Sequence, residues 1–277
     1  MRTALITIAH GRHPHWATQC AAVERSQPRP DDRILVAIDD PALASRADGA
    51  SGDVHVVETA AHPDGLPLAM ARNTGAARAL DRGADLLVFL DVDCLPAPGL
   101  FAAYAEAAQT HGDRLLCGPV TYLPPPPPGG YDLARLADHD APHPERPAPE
   151  PGQLVDDGRH ELFWSLSFAV TADTWTRLGG FHEGYVGYGG EDTDFGQVAA
   201  AAGVGLTWVG GARAYHQHHP VESPPVRHLD AIMRNGALFR DRWGWWPMTG
   251  WLDDFAARGL IARDAQGDYR HLPQPPH

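Results

Sequence analysis

The run Leu86 to Asp93, LLVFLDVD, closes on a D-x-D made of Asp91, Val92 and Asp93. Leu86 to Leu90 is apolar at every position, the pattern of a strand buried on both faces. Two carboxylates follow at once where that strand runs out. Leaving one buried carboxylate ionised and unpaired costs on the order of several kcal/mol. Two so close together also repel each other. A positive group therefore belongs beside them. Hard oxygen ligands suit Mg²⁺ or Mn²⁺, and such a cation carrying a diphosphate meets the requirement. The competing reading is an Asp-rich turn or a helix cap.

Two further groups could do chemistry. Glu191-Asp192 follows Gly189-Gly190 and opens a helix predicted to run to Ala202, with Gly203 as its stop. Acidic residues there stabilise the helix dipole by about 0.3–1 kcal/mol each. The same residues could also take a proton from a hydroxyl. Downstream lies Ala214-Tyr215-His216-Gln217-His218-His219. On an extended strand His216 and His218 share a face, so both could point at one metal, with His219 as the alternative. H-x-H-H reads equally as a zinc site or a solvated polar turn.

These residues need elements to hold them. Ala4–Ala9, Arg33–Ile38 and Val54–Glu58 read as strands, and a helix follows the polar turn His10–His15. Leu66 to Leu80 has apolar residues at helical spacing and stops near Gly83. A helix over Pro96–Gln109 and a strand over Leu115–Val120 come next. Alternating strands and helices predict an open, mostly parallel α/β sheet with ligands at the carboxyl ends of its strands. Asp39, Asp40, Asp91 and Asp93 all fall at such ends. Residues 124–160 are rich in proline and predict no regular element, rather a loop over the site. The expected division is a nucleotide-binding half over 1–123, this insert, and an acceptor-binding half over 161–277, all in one domain.

Composition sets limits. The 277 residues carry a formal net charge of -13 and no lysine. The charge argues against a nucleic-acid partner, and the missing lysine excludes Schiff-base chemistry and a P-loop. Cys20, Cys94 and Cys117 form no C-x-x-C pair, which argues against a disulfide framework. No stretch has the length of a transmembrane helix or the form of a signal peptide. The expected location is the cytoplasm, with attachment at a membrane surface left open.

LAMARNTGAARAL, FLDVDCLP, LGGFHEGYVGYGGEDTDF and AYHQHH occur in the order typical of GT-A glycosyltransferases. From about Ala4 to His219 the chain resembles the family-2 type. Its second half is similar to galactosyltransferases and chondroitin-polymerase-like enzymes. The resemblance implies a GT-A fold, a UDP-sugar donor, and a hydroxyl-bearing acceptor that is a glycan, a lipid or a small molecule. It implies Mn²⁺ or Mg²⁺ on Asp93, with His216 and His218 completing the metal site. It also implies Asp91 at the ribose or the metal's water shell, and Arg12, Asp39, Arg72 and Asn73 at the nucleotide. Asp192 becomes the general base of an inverting transfer, and Glu191 orients the acceptor or the donor sugar. The chain departs from the W-G-W-G pattern of galactosyltransferases, with Tyr185 and Tyr188 at the aromatic positions. Two alternatives stand beside this reading. A sugar-1-phosphate nucleotidyltransferase is one, although His10–His13 is a poor phosphate loop. A non-catalytic nucleotide-sugar-binding module is the other.

Overall fold

The structure is a computed structural model and describes residues 1–49 and 54–272. The first half alternates strand and helix: β1 (Thr3–Ala9), α1 (His13–Val23), β2 (Asp32–Ile38), α2 (Pro41–Gly49), β3 (Val54–Thr59), α3 (Leu68–Asp81) and β4 (Leu86–Leu90). Then come β5 (Cys94–Pro96), α4 (Leu100–His111), β6 (Leu115–Cys117) and β7 (Val120–Tyr122). The second half holds β8 (Leu154–Asp157), β9 (Ser167–Thr171), α5 (Ala172–Leu178), α6 (Glu191–Ala201), β10 (Leu206–Val209) and β11 (Ala214–His216). It closes with α7 (Leu229–Trp243), α8 (Thr249–Ala257), β12 (Ile261–Arg263) and β13 (Tyr269–His271).

Eight strands form one sheet in the order β3-β2-β1-β4-β9-β6-β10-β8. β3, β2, β1 and β4 are parallel neighbours, as are β6 and β10, while β9 and β8 pair antiparallel. Every residue of β1, β2 and β4 is buried, which explains their unbroken apolar runs. The chain reverses its direction of growth across the sheet at β1. Loops at the carboxyl ends of β1, β2 and β4 therefore share one crevice. A second sheet, β5-β11-β7, lies beyond β4 and brings Cys94, His216 and Tyr122 into register.

Three local readings change. The strand expected over Leu115–Val120 divides at Gly118-Pro119 into β6 in the large sheet and β7 in the small one. A Cβ on Gly118 would collide with the Ala212 carbonyl, so the close passage of two chains fixes the break. The Pro-rich segment is not wholly irregular, because Leu154–Asp157 forms β8 on the sheet edge. Edge position explains why so few apolar residues suffice there. The rest of the segment is tied down. A bridge joins Thr121 to Pro142, and Arg213 and Thr121 both reach Asp140. β9, inserted between β4 and β6, had only a short β-branched and aromatic run, SFAVT, to announce it.

The core joins the two acidic motifs from behind. Phe89, just before the D-x-D, stacks on Phe168 of β9 at 4.5 Å. Phe181 stacks at 4.3 Å on Phe195, in the helix that Glu191-Asp192 opens. Phe168 contacts both Phe181 and Phe195 edge-on or tilted, so strand and helix share one aromatic cluster.

Asp194 anchors that helix from its other side. It is fully buried and accepts hydrogen bonds from Tyr185 Oη at 3.1 Å, Arg242 Nε at 2.7 Å and Trp243 Nε1 at 2.7 Å. Arg242 and Trp243 end α7, so the C-terminal helices are pinned to α6 by one carboxylate. Asp194→Asn should leave the fold intact but lower unfolding stability by about 2 kcal/mol, since it weakens three hydrogen bonds to one fully buried carboxylate. Urea denaturation checks this; a change under about 0.5 kcal/mol would show that the anchor is dispensable.

Candidate active site

β4 ends at Leu90 and the D-x-D forms the next turn. Val92 packs into an apolar cluster with Ala9, Trp16, Leu35 and Leu43, while its two neighbours are only half-buried. Gln19, buried in α1, fixes the turn by donating to the carbonyls of Asp91 at 2.7 Å and Cys94 at 2.8 Å. Its own Oε1 accepts from Thr7. Nothing in the sequence singled out Gln19. In hindsight, a lone amide on the inner face of a helix was the available signal.

Asp93 faces two histidines. His216 Nε2 lies 3.4 Å from Asp93 Oδ1, and His219 Nε2 lies 3.4 Å from Asp93 Oδ2. One ligand atom from each of the three falls within 4.8 Å of the others. β11 stops at His216, so the alternation expected for His216 and His218 does not continue. His218 is exposed and its backbone N–H donates to Tyr131 Oη at 3.0 Å, while the turn brings His219 back to Asp93. The main-chain N–H of Gln217 fixes this turn by donating to the Asp93 carbonyl at 2.7 Å.

Burial would raise the Asp93 carboxyl, but the hydrogen bond from His219 and the charges of His216 and Arg12 outweigh it and hold it low. Burial also lowers His216. Metal binding would call for an ionised carboxylate, and an imidazole ligand would bind in its neutral form. One oxygen and two nitrogen ligands match the softer Mn²⁺ better than Mg²⁺, which prefers an all-oxygen shell.

Arg72 connects this site to the second acidic pair. The sequence placed it at the nucleotide; the structure buries it, with Nη2 3.1 Å from Asp91 Oδ1 and Nη1 3.2 Å from Glu191 Oε1. Its guanidinium carbon lies 5.4 Å from the centre of the Phe181 ring. The helix face carrying Arg72 turns inward, where Asp91 and Glu191 meet it. Asn73 is likewise engaged within the protein: its amide donates to the Phe181 carbonyl at 2.9 Å and to Glu183 at 2.8 Å, and its oxygen accepts from Phe181 N–H at 2.8 Å. It holds the turn that precedes the Glu191-Asp192 loop.

Even with Arg72 present, burial pushes Asp91 up to about 6. Glu191 and Asp192 are raised as well, first by burial; repulsion from Asp192 adds to the rise at Glu191. Asp192 Oδ1 accepts from the N–H of Thr193 at 2.7 Å, which steadies its ionised form. Gly190, with φ +92°, is the residue before the helix.

At the other wall, Arg12 follows β1 with φ +55°, near enough for its charge to bear on Asp93 and His216. Asp39, with φ +47°, is exposed at the end of β2. Asp40, its equal in the sequence, is buried and accepts from Gly11 N–H, Leu43 N–H and His13. It therefore shapes the loop that carries Arg12. Of the two tyrosines before Glu191, Tyr185 is only 2% exposed and belongs to the Asp194 anchor. Tyr188 is 38% exposed and stacks on His228 at 4.5 Å.

The fold superposes on solved structures. GalNAc-T7, solved with UDP, GalNAc and Mn²⁺, superposes with a TM-score of 0.60 at 14% identity over 93% of this chain. Residues 1–349 of S. aureus TarS, in complex with UDP-GlcNAc, superpose with a TM-score of 0.56 at 11% identity over 86% of this chain. The chain has the GT-A glycosyltransferase fold. It spans 57% of the GalNAc-T7 chain and 66% of the TarS chain. A family model described as the N-terminal domain of galactosyltransferase matches residues 158–220, the stretch that carries Glu191, Asp192, His216 and His219. No curated protein sequence matches significantly. Among the described residues, no helix of this GT-A chain is long and apolar enough to cross a membrane.

The Arg72 bridge has a signed pH consequence. Arg72→Met leaves the half-buried Asp91 and the buried Glu191 without a countercharge, so both carboxyls bind their protons more tightly than in the native protein. Near pH 5 they are neutral with or without Arg72, whereas at pH 8 the unfolded chain ionises them freely and the folded variant does so only at a cost. The variant should therefore lose more stability at pH 8 than at pH 5, by about 2 kcal/mol or more. Urea melts at the two pH values test it, and equal losses would show that the bridge carries no electrostatic load.

Proposed function

We propose that the protein is an inverting, metal-dependent glycosyltransferase that moves a sugar from a UDP-sugar to an acceptor hydroxyl. The observation that carries this reading is the placement of Asp93, His216 and His219 on one side of Arg72 and Glu191-Asp192 on the other, within a GT-A fold. The nucleotide lies in the crevice at the ends of β1, β2 and β4, with Asp39 positioned to accept from a base N–H and Arg12 facing the phosphates. Asp93, His216 and His219 would hold a divalent cation, Mn²⁺ by their chemistry, which would supply Lewis-acid neutralisation of charge on the leaving diphosphate.

The remaining work falls to the chain's own carboxylates. Asp192 accepts the proton of the acceptor hydroxyl as that oxygen attacks the anomeric carbon, and the bond to the diphosphate breaks on the opposite face. One displacement inverts the anomeric centre. Arg72 holds Asp91 and Glu191 at fixed spacing, so the donor and acceptor sides keep a common frame. The acceptor enters a cavity of about 450 Å³ that Tyr188, His228, Arg227 and Gly187 line. The exposed Tyr188 face suits a sugar ring. Gly187 and Gly65 form its floor: a Cβ on Gly65 would lie 2.9 Å from Gly187 Cα. The cytoplasm remains the expected location.

Nucleotide release from a panel of UDP-, GDP- and TDP-sugars, with and without Mn²⁺, tests the reading. UDP release that requires Mn²⁺ and falls at least 100-fold in Asp93→Ala is expected. Pyrophosphate release from a nucleoside triphosphate and a sugar phosphate would instead assign a nucleotidyltransferase. Asp192→Asn should bind UDP and Mn²⁺ as the native protein does and lose transfer by about 10²–10⁴-fold, the usual worth of a general base. Native transfer rates in that variant would remove Asp192 from the role. With the Asp192 carboxyl raised above the ordinary 3.8, kcat/KM should decline on the acid side with an apparent pKa above that value.

A further inference from the structure

Arg146, in the Pro-rich segment, is 5% exposed, and its Nε, Nη1 and Nη2 are buried without a hydrogen-bond partner. Its guanidinium carbon lies 5.0 Å from the centre of the Trp164 ring and 4.6 Å from that of Trp208. Stacking uses the faces of a guanidinium and leaves its five N–H groups pointing outward in its plane. No carboxylate of the described residues forms an ion pair with it. Cys117, Tyr104 and Tyr122 are near, but burial makes each hold its proton more tightly, so they stay neutral. Asp192 is the one carboxyl group among its strongest electrostatic neighbours.

Packing alone does not account for such a residue. An apolar side chain would fill the space between two indoles without burying an unpaired charge. Unmet N–H groups in a planar fork fit an oxyanion. The surroundings also show the way in. Trp208 is fully buried, whereas Trp164 is partly exposed. Trp164 meets His143 edge-on at 5.0 Å, His143 meets Tyr122 at 6.1 Å, and Tyr122 lies over His216 at 4.8 Å. A row of rings thus leads from the metal ligand His216 to the indole that covers Arg146.

We propose that Arg146 binds an oxyanion on the glycosyl substrate once Trp164 turns aside. The proposal rests on the glycosyltransferase reading for its substrate class. Its oxyanion is either the acid group of an acidic sugar or the donor diphosphate. Glucuronic acid, neutral glucose, and UDP with Mn²⁺ serve as probes, followed by tryptophan fluorescence and melting temperature. The proteins are wild type, Arg146→Met and Arg146→Lys.

Wild type should respond to glucuronate and not to glucose, and Arg146→Met should bind glucuronate at least tenfold more weakly with unchanged UDP affinity. A tenfold loss of UDP–Mn²⁺ affinity instead would assign the diphosphate as the oxyanion. Arg146→Lys keeps the charge but not the fork and should fall between. It carries the test if the methionine variant does not fold. Binding of both probes unaltered in the variants would overturn the proposal. A wild type that binds glucuronate through Arg146 yet never binds UDP would refute the glycosyltransferase reading alone.

Discussion

The structure depends on one buried guanidinium. Arg72 sits between Asp91, at the end of a central strand, and Glu191, at the start of a helix 119 residues beyond Arg72. Without it, four carboxylates from two distant segments (Asp91, Asp93, Glu191 and Asp192) would converge with too little countercharge. Coulomb repulsion in a partly dehydrated crevice would separate them. Arg72 pairs with Asp91 and Glu191 and its charge also bears on Asp192, while the histidines with Arg12 answer for Asp93. The four carboxyl groups can then share a site.

This arrangement also explains how the halves of the chain meet. The aromatic cluster of Phe89, Phe168, Phe181 and Phe195 supplies the area that holds strand and helix together, while Arg72 sets their register. The apolar contact is large but non-directional. The ion pairs are few but directional. Asp194 repeats the device on the outer face of the same helix, pinning the end of α7. Gln19 and Gln217 do the same for the Asp93 side with neutral hydrogen bonds. The Pro-rich segment is a wall in this scheme: it is bridged to Thr121 and brings His143 and Arg146 against Trp164.

Much of this was legible in the sequence, for identifiable reasons. The strands β1, β2 and β4 were plain because burial on both faces demands unbroken apolar runs. Asp93, Asp192 and His216 stood out in the sequence because each lies at the end of an element, where the loops of an open α/β sheet gather. Strands β5, β7 and β9 were obscure, since three to five residues carry no periodicity that separates strand from loop. Tyr185 and Tyr188 looked alike, yet one is core and the other surface. The difference lies in Asp194, whose hydrogen bond draws the first ring inward.

The sequence by itself determined the class of fold and singled out the candidate pieces of the site. Strand ends carrying acids, in a parallel α/β order, leave few places for those acids to go. Only the tertiary structure decided the assignments within it. His219 rather than His218 faces Asp93, because the chain turns immediately after β11. Arg72 ties the two acidic motifs, and Asp40 shapes a loop while Asp39 stays open. Each of these choices depends on a partner distant in sequence or on a turn of a few residues. Side-chain type and spacing encode neither, because a hydrogen bond or ion pair is set by where two chains meet.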